Sequence, residues 1–352
     1  VNTKIIKLDY IKLKEASLAE AARVISEGGL VIIPTETVYG IAANALNKEA
    51  IERLAQVKQR PADKQFSFHI ERKDRIEELA RAIPVSAYKL IDKFWPGPLT
   101  IILKSKDTGT VGVRMPDDEI ALKIIELAQV PIVCPSANIS GRAAPVNFNE
   151  AIKDLNGLVD MAIDAGGVKL GVESSVVDLT VDPPKILRAG AIKKEEIEDT
   201  LKKKSILFVC TGNSCRSVMA EGLLKKKLAD LGRKDVSVTS AGLMLLSGTG
   251  ASQETQALLS DEGIDMSGHR SQRITKELIK KTDLILVMER LHEEGVLKLA
   301  PEVKNRVFLL KEFAKIDDKD LDIKDPIGRP GDFYSRTFAM IKEAIERIAH
   351  II

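Results

Sequence analysis

Cysteine is scarce, with three residues in 352, so no disulfide framework can staple the chain, and no Cys/His cluster has zinc-site spacing. No apolar run is long enough to cross a bilayer. The opening VNTKIIKLDYIKLKEAS lacks the apolar core and cleavage site of a signal peptide. A cytoplasmic location without membrane partners is the expectation. Charge of one sign is also missing: 53 basic against 51 acidic residues leave a formal +2, which argues against a surface that coats nucleic acid generally. Any anion binding has to be local. What remains is 44% hydrophobic and 30% charged, the composition of a soluble globular enzyme. At this length the chain exceeds what one hydrophobic core supports, so two domains are expected.

The densest chemistry lies between Leu207 and Glu221, LFVCTGNSCRSVMAE. An apolar strand delivers Cys210, Thr211 to Cys215 form a short polar loop, and Arg216 opens a helix. Inward-facing loop amides and a helix N-terminus bind an anion without side-chain charge. The guanidinium adds a planar fork matched to two phosphate oxygens. The same donors favour a thiolate, the nucleophilic form of cysteine. A lone cysteine at a strand end is usually a buried structural residue. Here Gly212, Asn213, Arg216 and Ser217 stand where an anion loop needs them, which favours a phosphate trap.

The charged segment 192–205, IKKEEIEDTLKKKS, keeps only Ile192, Ile197 and Leu201 as apolar anchors and reads as a terminal helix followed by a linker. It divides the chain into domains 1–203 and 204–352. In the second, strands are predicted at 205–210, 236–240, 283–288 and 306–310, alternating with helices. That is the rhythm of a four-stranded parallel sheet covered by helices on both faces. Such sheets bind ligands at the carboxyl ends of their strands, where Cys210 sits. In the first, strands are predicted at 30–34, 66–70, 99–103, 111–115, 132–134, 175–179 and 186–188, with helices at 18–26, 48–58 and 85–94. This is an α/β domain on a twisted mixed sheet, partly antiparallel.

Polar turns recur at the strand ends of the first half: PTETVYG at 34–40, PSANISG at 135–141 and GVESSVVDL at 171–179. Hydroxyl- and glycine-rich turns suit phosphate and carboxylate oxygens. The helix from Lys48 ends with Lys58, Arg60 and Lys64, and Arg114 and Arg188 close two further strands. Cations near a helix C-terminus usually complement its dipole in solvent. Combined with the turns, they make a binding floor for a polyanion. Nothing there resembles a covalent nucleophile, so catalysis would rest on alignment and charge neutralisation. Cys134, inside an apolar strand, and Trp95 read as packing. His69, in FSFHI, is equally a strand histidine or a site residue.

CTGNSCRS, together with SAG at 240–242, GIDMSGHRS at 263–271 and DPIGRPGDFY at 325–334, resembles the low-molecular-weight protein tyrosine phosphatases over residues 204–352. Val218 departs from the proline common there. The resemblance implies a two-step displacement without a cofactor. Cys210 attacks phosphorus held by the loop amides and Arg216, Asp325 protonates the leaving atom, and water hydrolyses the phosphocysteine with Asp325 as base. Ser217 would hold the thiolate and Asn213 the loop. At Ser214, tyrosine-directed relatives typically place a bulky aliphatic residue and protein-arginine phosphatases a threonine. A phosphotyrosine ring needs an apolar slot with aromatic walls, and the nearest aromatics are Phe333 and Tyr334. A phosphoarginine-bearing protein is therefore favoured as the phosphoprotein substrate. A reversible bridge from Cys215 to Cys210 would protect the nucleophile from over-oxidation.

Lys58, Arg60, Ser136 and Asn138, with supporting blocks in order across residues 10–190, resemble the Lys-x-Arg and Ser-x-Asn signature of the YrdC-like threonylcarbamoyl-AMP synthases. The resemblance implies conversion of ATP, bicarbonate and L-threonine to threonylcarbamoyl-adenylate and pyrophosphate, with Mg²⁺ expected and no metal held by protein side chains alone. The product feeds modification of adenosine 37 in tRNA, so tRNA or the transfer machinery is an implied partner. By the same likeness Thr35, Tyr39, Lys58, Arg60, His69, Arg114 and Ser175 surround threonine and bicarbonate, while Ser136, Asn138, Ser174 and Arg188 hold ATP. Gln65 stands where relatives often have proline or glycine. Longer relatives carry a different C-terminal domain over this site. Two other readings stay open on sequence alone: an RNA-binding first domain without chemistry, and a second domain that is a tyrosine phosphatase or senses redox state or phosphate with negligible turnover.

Overall fold

The computed structural model describes residues 2–10, 15–60, 65–244, 248–329 and 331–352; Lys64 and Pro330 lie outside them. The chain divides into two compact units, Val1–Thr200 and Leu201–Ile352. The division falls near the end of a helix, Lys194–Lys202, formed by the charged segment.

Among its described residues the first unit has ten strands: β1 (Lys4–Lys7), β2 (Val31–Ile33), β3 (Gly40–Asn44), β4 (Phe68–His69), β5 (Leu99–Lys104), β6 (Thr110–Arg114), β7 (Ile132–Val133), β8 (Met161–Asp164), β9 (Ser175–Asp178) and β10 (Lys185–Arg188). They form one mixed sheet in the order β1-β8-β2-β3-β7-β4-β6-β5-β9-β10. Strand alternation distributes the core. Val31 and Ile33 pack with Leu18, Ile25 and Ile124, whereas Leu30 and Ile32 pack with Leu54, Phe148 and Leu155. Burying each such side chain contributes about 1.5–3 kcal/mol.

Three of these strands, β1, β3 and β8, were not among those predicted, nor was the helix Glu119–Ala128. Strand β3 (GIAAN) and strand β8 (MAID) are short and carry small residues or methionine with little β-branching, so their intrinsic preference is weak. Neighbours recruit them: β3 pairs antiparallel with β2 and β7, and β8 pairs parallel with β1 and β2. The helix had a legible signal. Asp118 accepts the Ala121 amide at its N-cap, and Ile120, Ala121, Ile124, Ile125 and Ala128 form its buried stripe.

The second unit carries β11 (Lys204–Cys210), β12 (Val236–Gly242), β13 (Leu284–Val287) and β14 (Val307–Leu309). They form a four-stranded sheet in the order β12-β11-β13-β14, every pair parallel. The alternation of β11 explains helices on both faces. Ile206 and Phe208 pack with Leu223, Leu224, Ile341 and Ile345; Leu207 and Val209 pack with Ile279, Val296 and Val303. Among the described residues no helix is long and apolar enough to cross a membrane.

Candidate active sites

In the second unit β11 ends at Cys210, and the helix Arg216–Asp230 begins after a five-residue loop. The loop turns at Asn213, which adopts left-handed backbone (φ 55°), a conformation asparagine tolerates. Asn213 is held there on every side: its amide side chain donates to Ser217 Oγ (3.0 Å) and Ser240 Oγ (2.7 Å), while its Oδ1 accepts from the Gln272 amide (2.9 Å). Its carbonyl meets His269 Nε2 at 2.8 Å. The Cys210 sulfur lies 3.0 Å from Ser217 Oγ and 3.3 Å from the Asn213 amide. Both are positioned to stabilise a thiolate.

The SAG segment supplies clearance. A Cβ at Gly242 would meet Thr211 O at 2.8 Å and Asn213 N at 3.0 Å, so the loop lies directly on the end of β12. Gly242→Ala is expected to push the loop away, costing about 1–3 kcal/mol of stability and reducing phosphate release more than about tenfold. Kinetics with denaturant unfolding of the same variant would check both; unchanged turnover would show that the loop does not depend on this contact.

Arg216 is buried and shared. One terminal nitrogen donates to Glu289 (2.5 Å) and Ile323 O (2.8 Å), the other to Asp325 (2.5 Å) and Thr211 Oγ1 (3.1 Å). Its Nε finds no hydrogen-bond partner among the described residues. Sequence reasoning assigned a role to Asp325 but none to Glu289, Thr211 or His292. His292 is fully buried, and burial, reinforced by the Arg216 charge, pushes it down to about 3. It is therefore neutral: Nδ1 accepts the Glu289 amide and Nε2–H donates to Thr211 Oγ1 (2.9 Å). A signal for Glu289 existed, because it closely follows β13 at the carboxyl edge of a parallel sheet. Cys215 is buried, with its sulfur 3.6 Å from Ser214 Oγ and 3.8 Å from the Tyr334 hydroxyl.

In the first unit a cavity of about 430 Å³ is lined by Thr35, Tyr39, Arg60, His69, Arg114, Ser136, Ser174 and Arg188 among others. It lies on the sheet face that carries Thr110, Gly112 and Arg114, alternate residues of β6. Arg114 is locked in a buried ion pair with Glu36 (2.6 Å). Arg188 reaches Glu173 (2.7 Å), Ser174 O (2.8 Å) and Ser174 Oγ (3.1 Å), and Ser174 Oγ in turn meets Thr100 Oγ1 (2.9 Å). Glu36, Glu173 and Thr100 were not anticipated. The two carboxylates sit inside the polar turns that were, beside the residues they serve.

Three expected ligand residues do not line this cavity. Lys58 is buried and donates to the carbonyls of Ser136 and Asn138, the latter at 2.8 Å. Burial, with the nearby Arg60 charge, lowers it to about 8. It clamps the PSAN turn. The Asn138 side-chain Nδ2 donates to Ile139 O and Arg142 O of the same loop. Ser175 is fully buried, its hydroxyl donating to Ile192 O (2.8 Å) and accepting from the Gly190 and Ile192 amides. It ties down the segment after β10. Lys58 Nζ and the Ser175 hydroxyl are thus committed to backbone groups, whereas Asn138 Oδ1 is buried with no hydrogen-bond partner among the described residues.

His69 is both things the sequence allowed: a buried strand residue and part of the cavity wall. Its Nδ1 has no hydrogen-bond partner among the described residues. Burial, with Arg114 nearby, pushes it from 6.5 down to about 3, so it is a neutral imidazole at working pH. Below pH 6.5 the unfolded chain takes up a proton that folded His69 refuses. Stability is thus expected to fall as pH drops from about 6.5 towards 3. A His69→Asn variant should show a flatter acid limb in the unfolding midpoint; an unchanged slope would show that His69 titrates normally. Cys134, also in the wall, is pushed up to about 12 by burial and stays a thiol. Trp95 is buried and donates to Leu99 O, as packing required.

Residues 23–190 match the family model of the Sua5, YciO and YrdC proteins, described as telomere recombination. Residues 205–352 match that of the low molecular weight phosphotyrosine protein phosphatases. A threonylcarbamoyl-AMP synthase of Pyrococcus abyssi is 43% identical over 221 residues, 60% of this chain and 65% of that protein. The chain therefore spans just under two thirds of that relative's length. The solved structure of P. abyssi Sua5 complexed with L-threonine is similar with a TM-score of 0.55 at 30% identity, covering 87% of this chain and 99% of that one. A protein-arginine-phosphatase of Geobacillus stearothermophilus is 38% identical over 144 residues, 41% of this chain and 93% of that protein. The chain belongs to the Sua5/YciO/YrdC family in its first unit and to the low-molecular-weight phosphatase family in its second.

Proposed function

We propose that the first unit makes threonylcarbamoyl-adenylate and pyrophosphate from L-threonine, bicarbonate and ATP. The observation that carries this is a single cavity bringing Thr35, Tyr39, His69 and Arg114 together with Ser136, Ser174 and Arg188. Arg60 and Arg114 would neutralise the carboxylates, and Arg188 with Ser174 would hold the nucleotide. Among the described residues no three acidic, His or Cys side chains gather as a metal site. Mg²⁺ would arrive on the triphosphate, because it is usually held by substrate phosphates with one or two carboxylates; Glu173 lines the cavity. The adenylate would pass to tRNA modification at adenosine 37. Pyrophosphate release from ATP requiring both threonine and bicarbonate is the test. Saturable tRNA binding without such turnover would favour an RNA-binding module instead.

For the second unit we propose hydrolysis of phosphoarginine on proteins through a phosphocysteine. As the Cys210 Sγ–P bond forms, the P–N bond breaks and Asp325 delivers a proton to the leaving nitrogen. Water then attacks phosphorus, Asp325 takes its proton, and the S–P bond breaks to release phosphate. Two observations support arginine over tyrosine. Ser214 leaves little apolar surface beside the trap, and the ring of Phe333 is already covered by the guanidinium of Arg329 at 4.5 Å. Release from phosphoarginine-protein should exceed release from phosphotyrosine peptide, and a reversed preference would return the unit to tyrosine chemistry. Peroxide treatment is expected to bridge Cys210 and Cys215; stable sulfinic acid on Cys210 would remove that protective role.

A further inference from the structure

A buried lysine outside both sites has no counterpart in the chemistry above. Lys311 lies in the short helix Leu310–Phe313 after β14, with its side chain 2% exposed. An ammonium so placed is costly unless fully bonded, and both of its hydrogen bonds reach one loop. Lys311 Nζ donates to Asp318 Oδ2 (2.6 Å) and Asp320 O (2.5 Å). From there the loop is stitched at nearly every second residue. Asp320 Oδ1 accepts the Asp322 amide (3.0 Å), and Asp322 Oδ1 accepts the Arg290 amide (2.9 Å). The Ile323 amide donates to Met288 O (2.7 Å), which anchors the loop to the end of β13. Ile323 O accepts from Arg216 (2.8 Å). Two residues on, the loop delivers Asp325 to the same guanidinium. The aspartates at 318, 320 and 322 therefore shape the loop rather than forming a cation site.

We propose that Lys311 is a positioning residue for the general acid, setting the path of residues 316–324 so that the Asp325 carboxyl reaches the leaving atom. This rests on the phosphocysteine mechanism proposed above. A proton donor matters in proportion to the basicity of the leaving group. A positioning defect should therefore scale with that basicity and be larger for a guanidine than for a phenolate.

The test uses the full chain and kcat/KM across aryl phosphates, which reports the first, leaving-group-expelling step. The Lys311→Met variant should lose about 10- to 100-fold on phenyl phosphate, at or below the lower end of the roughly 10²- to 10⁴-fold that general acid catalysis supplies, as a displaced but present acid would. On 2,4-dinitrophenyl phosphate, whose leaving group needs no proton, it should stay within about threefold. Lys311→Arg should recover much of the loss, and adding Lys311→Met to Asp325→Asn should cost little more. Asp318→Asn, made at a side chain 44% exposed, should show the same leaving-group pattern in weaker form and serves if the core variant fails to fold. An equal loss on all substrates, or none, would overturn the assignment. Hydrolysis that survives Cys210→Ser would overturn the underlying mechanism instead, which separates the two failures.

Discussion

Cys210→Ser is expected to lower phosphate release from phosphoarginine-protein by about 10⁴-fold or more, while threonine-dependent pyrophosphate release by the same purified chain is unchanged. The serine would keep its place between Ser217 Oγ and the Asn213 amide, 3.0 and 3.3 Å from the present sulfur. A hydroxyl in that position is not ionised, so the loop should still bind phosphate without forming a covalent intermediate. Phosphate binding measured by calorimetry separates loss of chemistry from loss of the loop. Retained turnover would exclude a phosphocysteine. A wild-type protein that releases nothing yet binds phosphate would support the sensing role instead.

Arg114→Leu should have the largest effect in the first unit. Its ion pair with Glu36 is buried on both sides, with side chains 5% and 3% exposed, and Glu36 Oε2 has no further hydrogen-bond partner among the described residues. Removing the cation leaves a buried carboxylate uncompensated, at a cost of about 3–5 kcal/mol. The double change Glu36→Leu with Arg114→Leu should restore most of that stability, since two apolar side chains can replace a buried pair. It should not restore pyrophosphate release, because the cation facing the cavity is gone. Unfolding and turnover of the three variants check this together. A single variant as stable as wild type would show that the pair is not sequestered from water.

The phosphatase site was the more legible of the two because its chemistry is local. Cys210, Asn213, Ser214, Cys215, Arg216 and Ser217 fall within one short stretch, and the turn from β11 into its helix places them without help from elsewhere. Asp325 comes from a distance. Its role as acid and base was read from the motif it belongs to, while its tether to Arg216 appeared only in the structure. Glu289 could be placed at a strand end, but charge there does not reveal what it faces, so its competing bond to Arg216 could not be foreseen. The cavity of the first unit is assembled from several strand ends far apart in sequence. Residue types there indicated an anion floor, but which side chains enter it depended on the direction each takes in the folded sheet. Lys58 shows the difference: a cation at a helix end, read as a ligand, is withdrawn to hold two carbonyls.

By itself the sequence determined the two α/β units, the parallel sheet behind Cys210, the polar loop from Cys210 to Arg216 and the polar turns around the first cavity. Those follow from side-chain periodicity and from turn chemistry, which act over a few residues. Only the tertiary structure decided that β3 and β8 are strands, since weakly preferring segments become strands when neighbours offer a ladder and a buried face; β1, KIIK, carried a strand preference in its two isoleucines. It alone also decided the division of labour among polar residues. A buried donor must find an acceptor, and whether Lys58, Ser175 or Lys311 finds one in the backbone or leaves a group for substrate depends on which carbonyls the fold brings within reach.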